Sequence, residues 1–502
     1  MKKFILSAII IAGTAFTAAA QVRTAYFVES TTYRSQFNPA FAPTQGYVNF
    51  PLVALGGLNF NLDGTMSVND FIMKRPSDGK LATILSSEFD EKTALKGLNK
   101  FNNSFNFNTN INLLGFGNYF KDHKSFWSVD MNLHIETALD IPYSFFQFAK
   151  TLSGGSKTYD FSKFQVFAQS YLDLGFNYSR PIMDNLYVGA RAKFLVGLAH
   201  ANAKLSQFNL DFGEDMWKAQ AQAEMNLYFS GINSVNGESI DKMSLRAEDI
   251  KGPSGYGFAV DLGAYYSPIE NLTVSLAVND IGFISWGNSV RYETSKQGIE
   301  FSGVDMTVTG DGTETKQTEL SFDEMNFTCT DSRSRTTSLR ATINAGVEYE
   351  MWDHWVGFGL LYHARMGLYK SSHNITASVN FHPRYWFTLS PSYTFNNNRG
   401  GALGLALNFA PRGFNLFVAT DLLLSRLAKN YYIPYTQDRM TFTFGMGFNI
   451  GRRSYRVAEY AALWQAKEQK KQERAEAIAN ARAAGKAAKS AANASSAKVT
   501  SK

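Results

Sequence analysis

The sequence predicts an all-β fold, a transmembrane antiparallel β-barrel of about fourteen strands. Runs of roughly ten residues alternate strictly between apolar and polar side chains, and they recur along most of the 502 residues. Short turns and long polar connections take turns joining these runs. Aromatic residues are abundant (7 Trp, 24 Tyr, 41 Phe) while mean hydropathy stays slightly negative, so apolar side chains are dispersed at every second position. The run Trp127–Glu136 shows the pattern without error: Trp127, Val129, Met131, Leu133 and Ile135 against Ser128, Asp130, Asn132, His134 and Glu136. A strand puts successive side chains on opposite faces, and about ten residues of tilted strand cross a hydrocarbon core. The apolar set is therefore expected to face lipid and the polar set a lumen, where Lys at Asn132 would be tolerated and Lys at Met131 would not.

The elements follow in chain order. Residues 1–20 read as a secretory signal: Lys2 and Lys3, an apolar run from Phe4 to Phe16, and Ala18-Ala19-Ala20 before Gln21. Residues 21–45 are too short for a domain and too apolar for a free tail, so they are expected to tuck into the barrel as a plug. The plug candidates are Phe37, Asn38, Pro39, Ala40 and Phe41. The barrel spans 46–451, with strands expected near 46–62, 101–115, 125–139, 164–179, 186–202, 256–267, 272–283, 336–350, 355–369, 374–382, 386–396, 401–410, 414–424 and 439–451. Tight connections such as Arg180–Asn185, Ser267–Asn271 and Met351–His354 mark hairpins, and proline is expected in such turns and not mid-strand. The long polar connections fall at 63–100, 140–163, 203–255 and 284–335. Within them Trp217–Tyr228 alternates too; it either extends the sheet beyond the membrane or belongs to an extra pair that raises the count to sixteen.

Residues 452–502 form a tail with twelve Lys/Arg and four Asp/Glu, which more than accounts for the chain's net +6. Tyr455–Gln469 fits an amphipathic helix, Gln472–Ala492 is Ala-rich and helix-prone, and the last residues are expected to be disordered.

No motif meets the standard for a catalytic residue, and no enzyme, cofactor or metal site is expected. The single cysteine, Cys329, excludes an internal disulfide and a Cys-rich metal site and is expected to be an exposed thiol. His134 is expected to lie near Asp130 and Glu136, and His363 near Arg365. The polar residues placed on lumen positions are Asp130, His134, Glu136, Arg191, Lys193, Asp261, Arg340, Glu348 and Arg365, with Glu350 beside them. Both signs are present, which suits charges paired with each other and with a plug better than a selective pore.

The opening Tyr33–Tyr47 (YRSQFNPAFAPTQGY), the repeated strand–Pro–strand hairpins, and Gly257–Trp286 (GFAVDLGAYYSPIENLTVSLAVNDIGFISW) together carry a resemblance. The chain resembles the FadL-type outer-membrane transport superfamily, which includes PorV-like proteins of type IX secretion. Within it the likeness is greatest to a family of barrels known only as a domain of unknown function. The resemblance spans about residues 25–451 and implies a fourteen-stranded barrel with an N-terminal plug. For FadL-type members it also implies passage of hydrophobic compounds, although no residue here matches a fatty-acid site.

Two functions follow as expectations: passage of hydrophobic or amphipathic small molecules, or a non-transporting PorV-like scaffold or shuttle for envelope and secretion partners. The expected location is the outer membrane of a Gram-negative cell, with both termini periplasmic. Expected partners are outer-membrane lipids, a hydrophobic ligand, and a periplasmic or secretion-system partner held through the tail, but no nucleic acid.

Overall fold

The computed structural model describes residues 23–49, 57–66, 70–151, 157–212, 217–230, 232–233, 244–245, 252–287, 289–294, 297–301, 327–331, 334–366, 371–384, 386–396, 401–411, 413–421 and 440–499. The signal segment 1–20 lies outside them. The chain divides into two compact units, Met1–Arg452 and Arg453–Lys502.

In the first unit fourteen strands of the described residues form the barrel: β1 (in two stretches, Gln45–Asn49 and Leu58–Gly64), β2 (Asn102–Tyr119), β3 (Phe126–Pro142), β4 (Gln165–Met183), β5 (Leu186–Phe212), β6 (Gly255–Ile269), β7 (Leu272–Trp286), β8 (Thr342–Met351), β9 (Val356–Arg365), β10 (Ser372–Arg384), β11 (Phe387–Asn396), β12 (Gly401–Phe409), β13 (Asn415–Thr420) and β14 (Met440–Arg453). Each pairs antiparallel with its neighbour in sequence. β1 pairs with both β2 and β14, which closes the sheet into a barrel and removes its edges. The alternation in the sequence is what makes closure favourable. Ser128, Asp130, Asn132 and Glu136 of β3 are buried inward, while Val129 lies exposed on the outer face with Trp127, Met131, Leu133 and Ile135 beside it. The outer face repeats this on other strands with Leu174, Phe176, Phe194, Phe258, Leu276 and Leu360, all exposed.

Two strand features and the setting of Cys329 depart from the expected pattern, and one open alternative is decided. Asp280 has φ +62° and is the extra residue where the β6–β7 register shifts between Val260 and Leu262. This bulge switches which residues of β7 point inward, so that Asn279 and Asp280 both serve the lumen side. Pro391 sits inside β11, contrary to the rule applied to the turns. It pairs with Leu405 of β12, while the pairing with β10 skips from Ser392 to Leu389, so its missing N–H falls in a gap of the ladder. The alternating segment Trp217–Phe229 pairs with the far half of β5 and with Ser289–Thr294 and Gln297–Phe301. It extends the sheet past the barrel wall, and the barrel count stays at fourteen. Cys329 lies in the added strand Phe327–Asp331 opposite Tyr292 and is buried, not exposed.

Two long connections also carry structure. Met66, Ile84, Phe89, Ala94, Leu95 and Leu98 form a small core with Phe146 of the helix Tyr143–Thr151. In the second unit a single helix runs from Tyr455 to Val499. The Ala-rich composition carries it through Ser495 and Ser496, which were expected to be disordered. The side chain of Trp464 lies outside the described residues.

Candidate functional site

The lumen holds the candidate site, and the N-terminal segment fills it. Residues 23–28 and 30–33 are buried, as are Phe37, Asn38, Ala40 and Phe41. An irregular segment leaves backbone carbonyls without partners, and the wall cannot supply backbone donors because its own ladders consume them. Inward-facing asparagines supply them instead. Asn279 and Asn344 both donate to the Phe37 carbonyl, at 3.0 and 2.9 Å, and Asn177 donates to the Pro39 carbonyl at 3.3 Å. Asn415 donates to the Ser30 carbonyl at 2.7 Å and Asn408 to the Ser30 hydroxyl at 2.6 Å. Thr24 donates to Asp421 at 2.5 Å and pairs with Ser392 at 2.6 Å. These bonds come from β4, β7, β8, β11, β12 and β13, so the segment is held from around the interior.

Among the plug candidates, Asn38 carries most of the geometry. Its Oδ1 accepts from the Ala40 N–H at 3.0 Å, closing a tight Asx turn around Pro39. Its Nδ2 donates to the Ala264 carbonyl at 3.2 Å. The turn fits a notch made by two glycines that face each other in register across β5 and β6, Gly189 and Gly263. A Cβ at Gly189 would run into the Pro39 backbone, and one at Gly263 would lie 2.8 Å from Pro39 Cδ and still closer to Asn38 Oδ1. Phe37 and Phe41 join Tyr26 in an aromatic cluster, with ring centroids 6.1 and 5.2 Å from it, packed on Leu361, Ala406 and Phe417. The sequence reading missed the glycines. Their signal was glycine at inward positions of otherwise regular strands, which marks close approach of another backbone.

The charged candidates form a layer of the wall facing the plug. Arg191 bridges Asp130 (β3) and Asp173 (β4), the latter at 3.3 Å. Asp173 also accepts from His134 at 2.5 Å, and that ring stacks on Tyr171 at 4.7 Å. The partner of His134 is thus Asp173, not Asp130 or Glu136. Lys193 joins Asp261 and the bulged Asp280, both at 2.7 Å. Asn132, expected to tolerate Lys, is packed inside this layer. It donates to Asp130 at 2.8 Å and Asp173 at 3.0 Å, and its Oδ1 accepts from Asn112 at 2.8 Å. This packing argues against easy accommodation of Lys at this position, because the inner face meets protein and not bulk water.

Towards the long-loop end Arg365 (β9) bonds Glu136 (β3), a pair that crosses the interior between strands that are not neighbours. Arg340 sits just before β8 and reaches Asn108 of β2 at 3.5 Å. His363 bonds Asn344 at 2.7 Å. Beside the charged layer, Tyr171, Leu195, Tyr228, Ile284 and Trp286 form a buried apolar patch with His200, whose ring lies 5.3 Å from that of Trp286. Towards the short-turn end Glu348 accepts from Asn380 at 2.6 Å, and Glu350 bonds His354. Glu348, Glu350 and His382 bring three ligand-type atoms within 4.8 Å of one another.

Comparison with known proteins follows from this geometry. Residues 39–421 match the model of a family described as "Family of unknown function (DUF5723)". The chain belongs to that family. No curated protein sequence matches it. Among solved structures it is similar to a Pseudomonas aeruginosa FadL homologue, at 10% identity and TM-score 0.40, covering 86% of this chain and 99% of that one. It is also similar to the P. putida toluene transporter TodX (9% identity, TM-score 0.39, 87% and 96% covered) and to the Ralstonia pickettii toluene transporter TbuX (8%, 0.37, 84% and 93%). With scores this low, the barrel rests on the strand pairing described above and not on these likenesses.

Proposed function

We propose that this protein is an outer-membrane barrel, closed at rest by residues 23–41, that admits hydrophobic or amphipathic small molecules when the plug shifts. The apolar outer belt supports residence in a bilayer, because lipid-facing strands need an uninterrupted apolar face and no free edge. The observation that carries the substrate class is the buried aromatic patch of Trp286, Tyr228, Tyr171 and His200, which lies against the charged layer where Tyr171 stacks on His134 and so offers apolar contacts beside the plugged interior. The plug is held by noncovalent bonds worth about 1 kcal/mol each, strong together yet reversible. Uptake of a monoaromatic compound such as toluene into proteoliposomes tests this reading. Loosening the plug with N279A and N344A should raise the rate several-fold over the intact chain, and an unchanged rate would count against passage.

A second reading is a PorV-like scaffold that transports nothing, favoured by the lumen being filled with paired charges. In that case envelope partners would be held at the outer segments or by the basic helix Tyr455–Val499, much of which is exposed between residues 469 and 488. On either reading the short-turn end and both termini face the periplasm, and the first twenty residues serve as the export signal.

A further inference from the structure

We propose that Glu348, Glu350 and His382 form a binding site for a divalent transition-metal ion, zinc or one of similar size, at the short-turn end of the lumen. Glu348 and Glu350 are successive inward positions of β8, and His382 is an inward position of β10, one strand beyond the intervening β9. The side chains meet because β9 has a glycine between them. A Cβ at Gly357 would lie 2.8 Å from Glu348 Oε1 and 3.6 Å from Asn380 Cβ, so the missing side chain lets Glu348 cross β9 to reach β10.

Two carboxylates held this close repel each other, and either a bound cation or a shared proton relieves the repulsion. Glu348 is buried, and its described bond is the one from Asn380. Glu350 bonds His354 in the turn. Arg34 of the plug pairs with Glu29 at 3.4 Å. The second observation is His382. Its Nδ1 pairs with Thr388 Oγ1 at 3.2 Å, while its Nε2 is buried, has no hydrogen-bond partner and belongs to the three-atom group. With the proton on Nδ1 donated to the hydroxyl, the Nε2 lone pair is left for a metal, the arrangement in which a second partner orients a ligating imidazole. Two carboxylate oxygens and one imidazole nitrogen suit zinc, whose ligand bonds of about 2.0–2.2 Å place donors roughly 3.4 Å apart. Rotamer shifts of Glu348 and Glu350 close the difference from 4.8 Å. A fourth position is left for water. The site would stiffen the wall beside the plug's Glu29 and Arg34.

The test uses the tag-free full-length protein, stripped with EDTA, refolded in detergent and titrated with ZnCl2 and, separately, CoCl2. One equivalent of Zn2+ should bind and raise the midpoint of thermal unfolding, and Co2+ should give visible d–d absorption. E348Q and H382A should each weaken binding about 10–100-fold. Folding of each variant is checked by the gel-mobility shift between heated and unheated samples. If a variant fails to fold, the Co2+ spectrum of the unaltered protein decides. Absence of binding in the unaltered protein overturns the site, as does binding of equal strength in both folded variants. The former result would mean that the carboxylates share a proton instead.

Discussion

Replacing Arg191 with Met isolates the charged layer. The side chains of Arg191, Asp130 and Asp173 are exposed by only 2%, 3% and 2%. Methionine fills most of the volume but removes the cation between two buried carboxylates, leaving Asp130 with its Asn132 bond and Asp173 with His134 and Asn132. Removing one partner of a buried pair costs about 3–5 kcal/mol, chiefly because the remaining charge stays desolvated. R191M should therefore lose stability in that range, a factor of roughly one hundred to several thousand in the folding equilibrium. The assay is reversible urea unfolding in lipid vesicles, followed by tryptophan fluorescence and by gel mobility. Neutralising the stranded charge should restore part of the loss, so D130N/R191M should recover at least about 1 kcal/mol relative to R191M. A loss below about 1 kcal/mol for R191M, or no recovery in the double variant, would refute a buried charged layer.

The remaining predictions concern the faces, the notch and the tail. M131K should cost about 2–4 kcal/mol at the bilayer midplane. N132K should also destabilise, since it displaces an amide bonded to Asp130, Asp173 and Asn112, and urea unfolding of both variants checks this pair. G263V should expel the Asn38–Pro39 turn from its notch, so that limited proteolysis cuts near residues 33–41 while the barrel keeps its gel mobility; protection equal to the parent chain would contradict the fit. Truncation after residue 452 should remove captured partners in pull-downs from envelope extracts if the helix holds them, and unchanged partners would exclude that role.

Much of the fold was legible because a two-faced strand writes its period into the sequence. All fourteen runs could be placed, and even the outward exposure of Val129 against buried Asp130 followed from alternation. Features that depend on register were not legible. Asp280 enters the lumen through a one-residue bulge that shifts the pattern mid-strand, and β5 runs on to Phe212 because a second strand, Trp217–Phe229, covers its far half. The facing glycines Gly189 and Gly263 are 74 residues apart in sequence and meet only once the barrel closes. The same holds for Glu348 and His382. The inward residues were assigned as polar, but what they touch depends on how the plug threads among them, and periodicity carries no record of that. Hence Lys at Asn132 was expected to be harmless.

The most direct test of a plugged lumen is labelling of the plug itself. In a Cys329→Ser background, Ala40→Cys is placed at a site only 1% exposed, and Asp184→Cys in the exposed β4–β5 turn serves as the control. Folded protein in vesicles open to reagent on both sides is treated with a water-soluble maleimide. A lumen filled by residues 23–41 predicts rapid labelling of Asp184→Cys and labelling of Ala40→Cys only after unfolding. Equally fast labelling of both in the folded protein would contradict it and leave the barrel open.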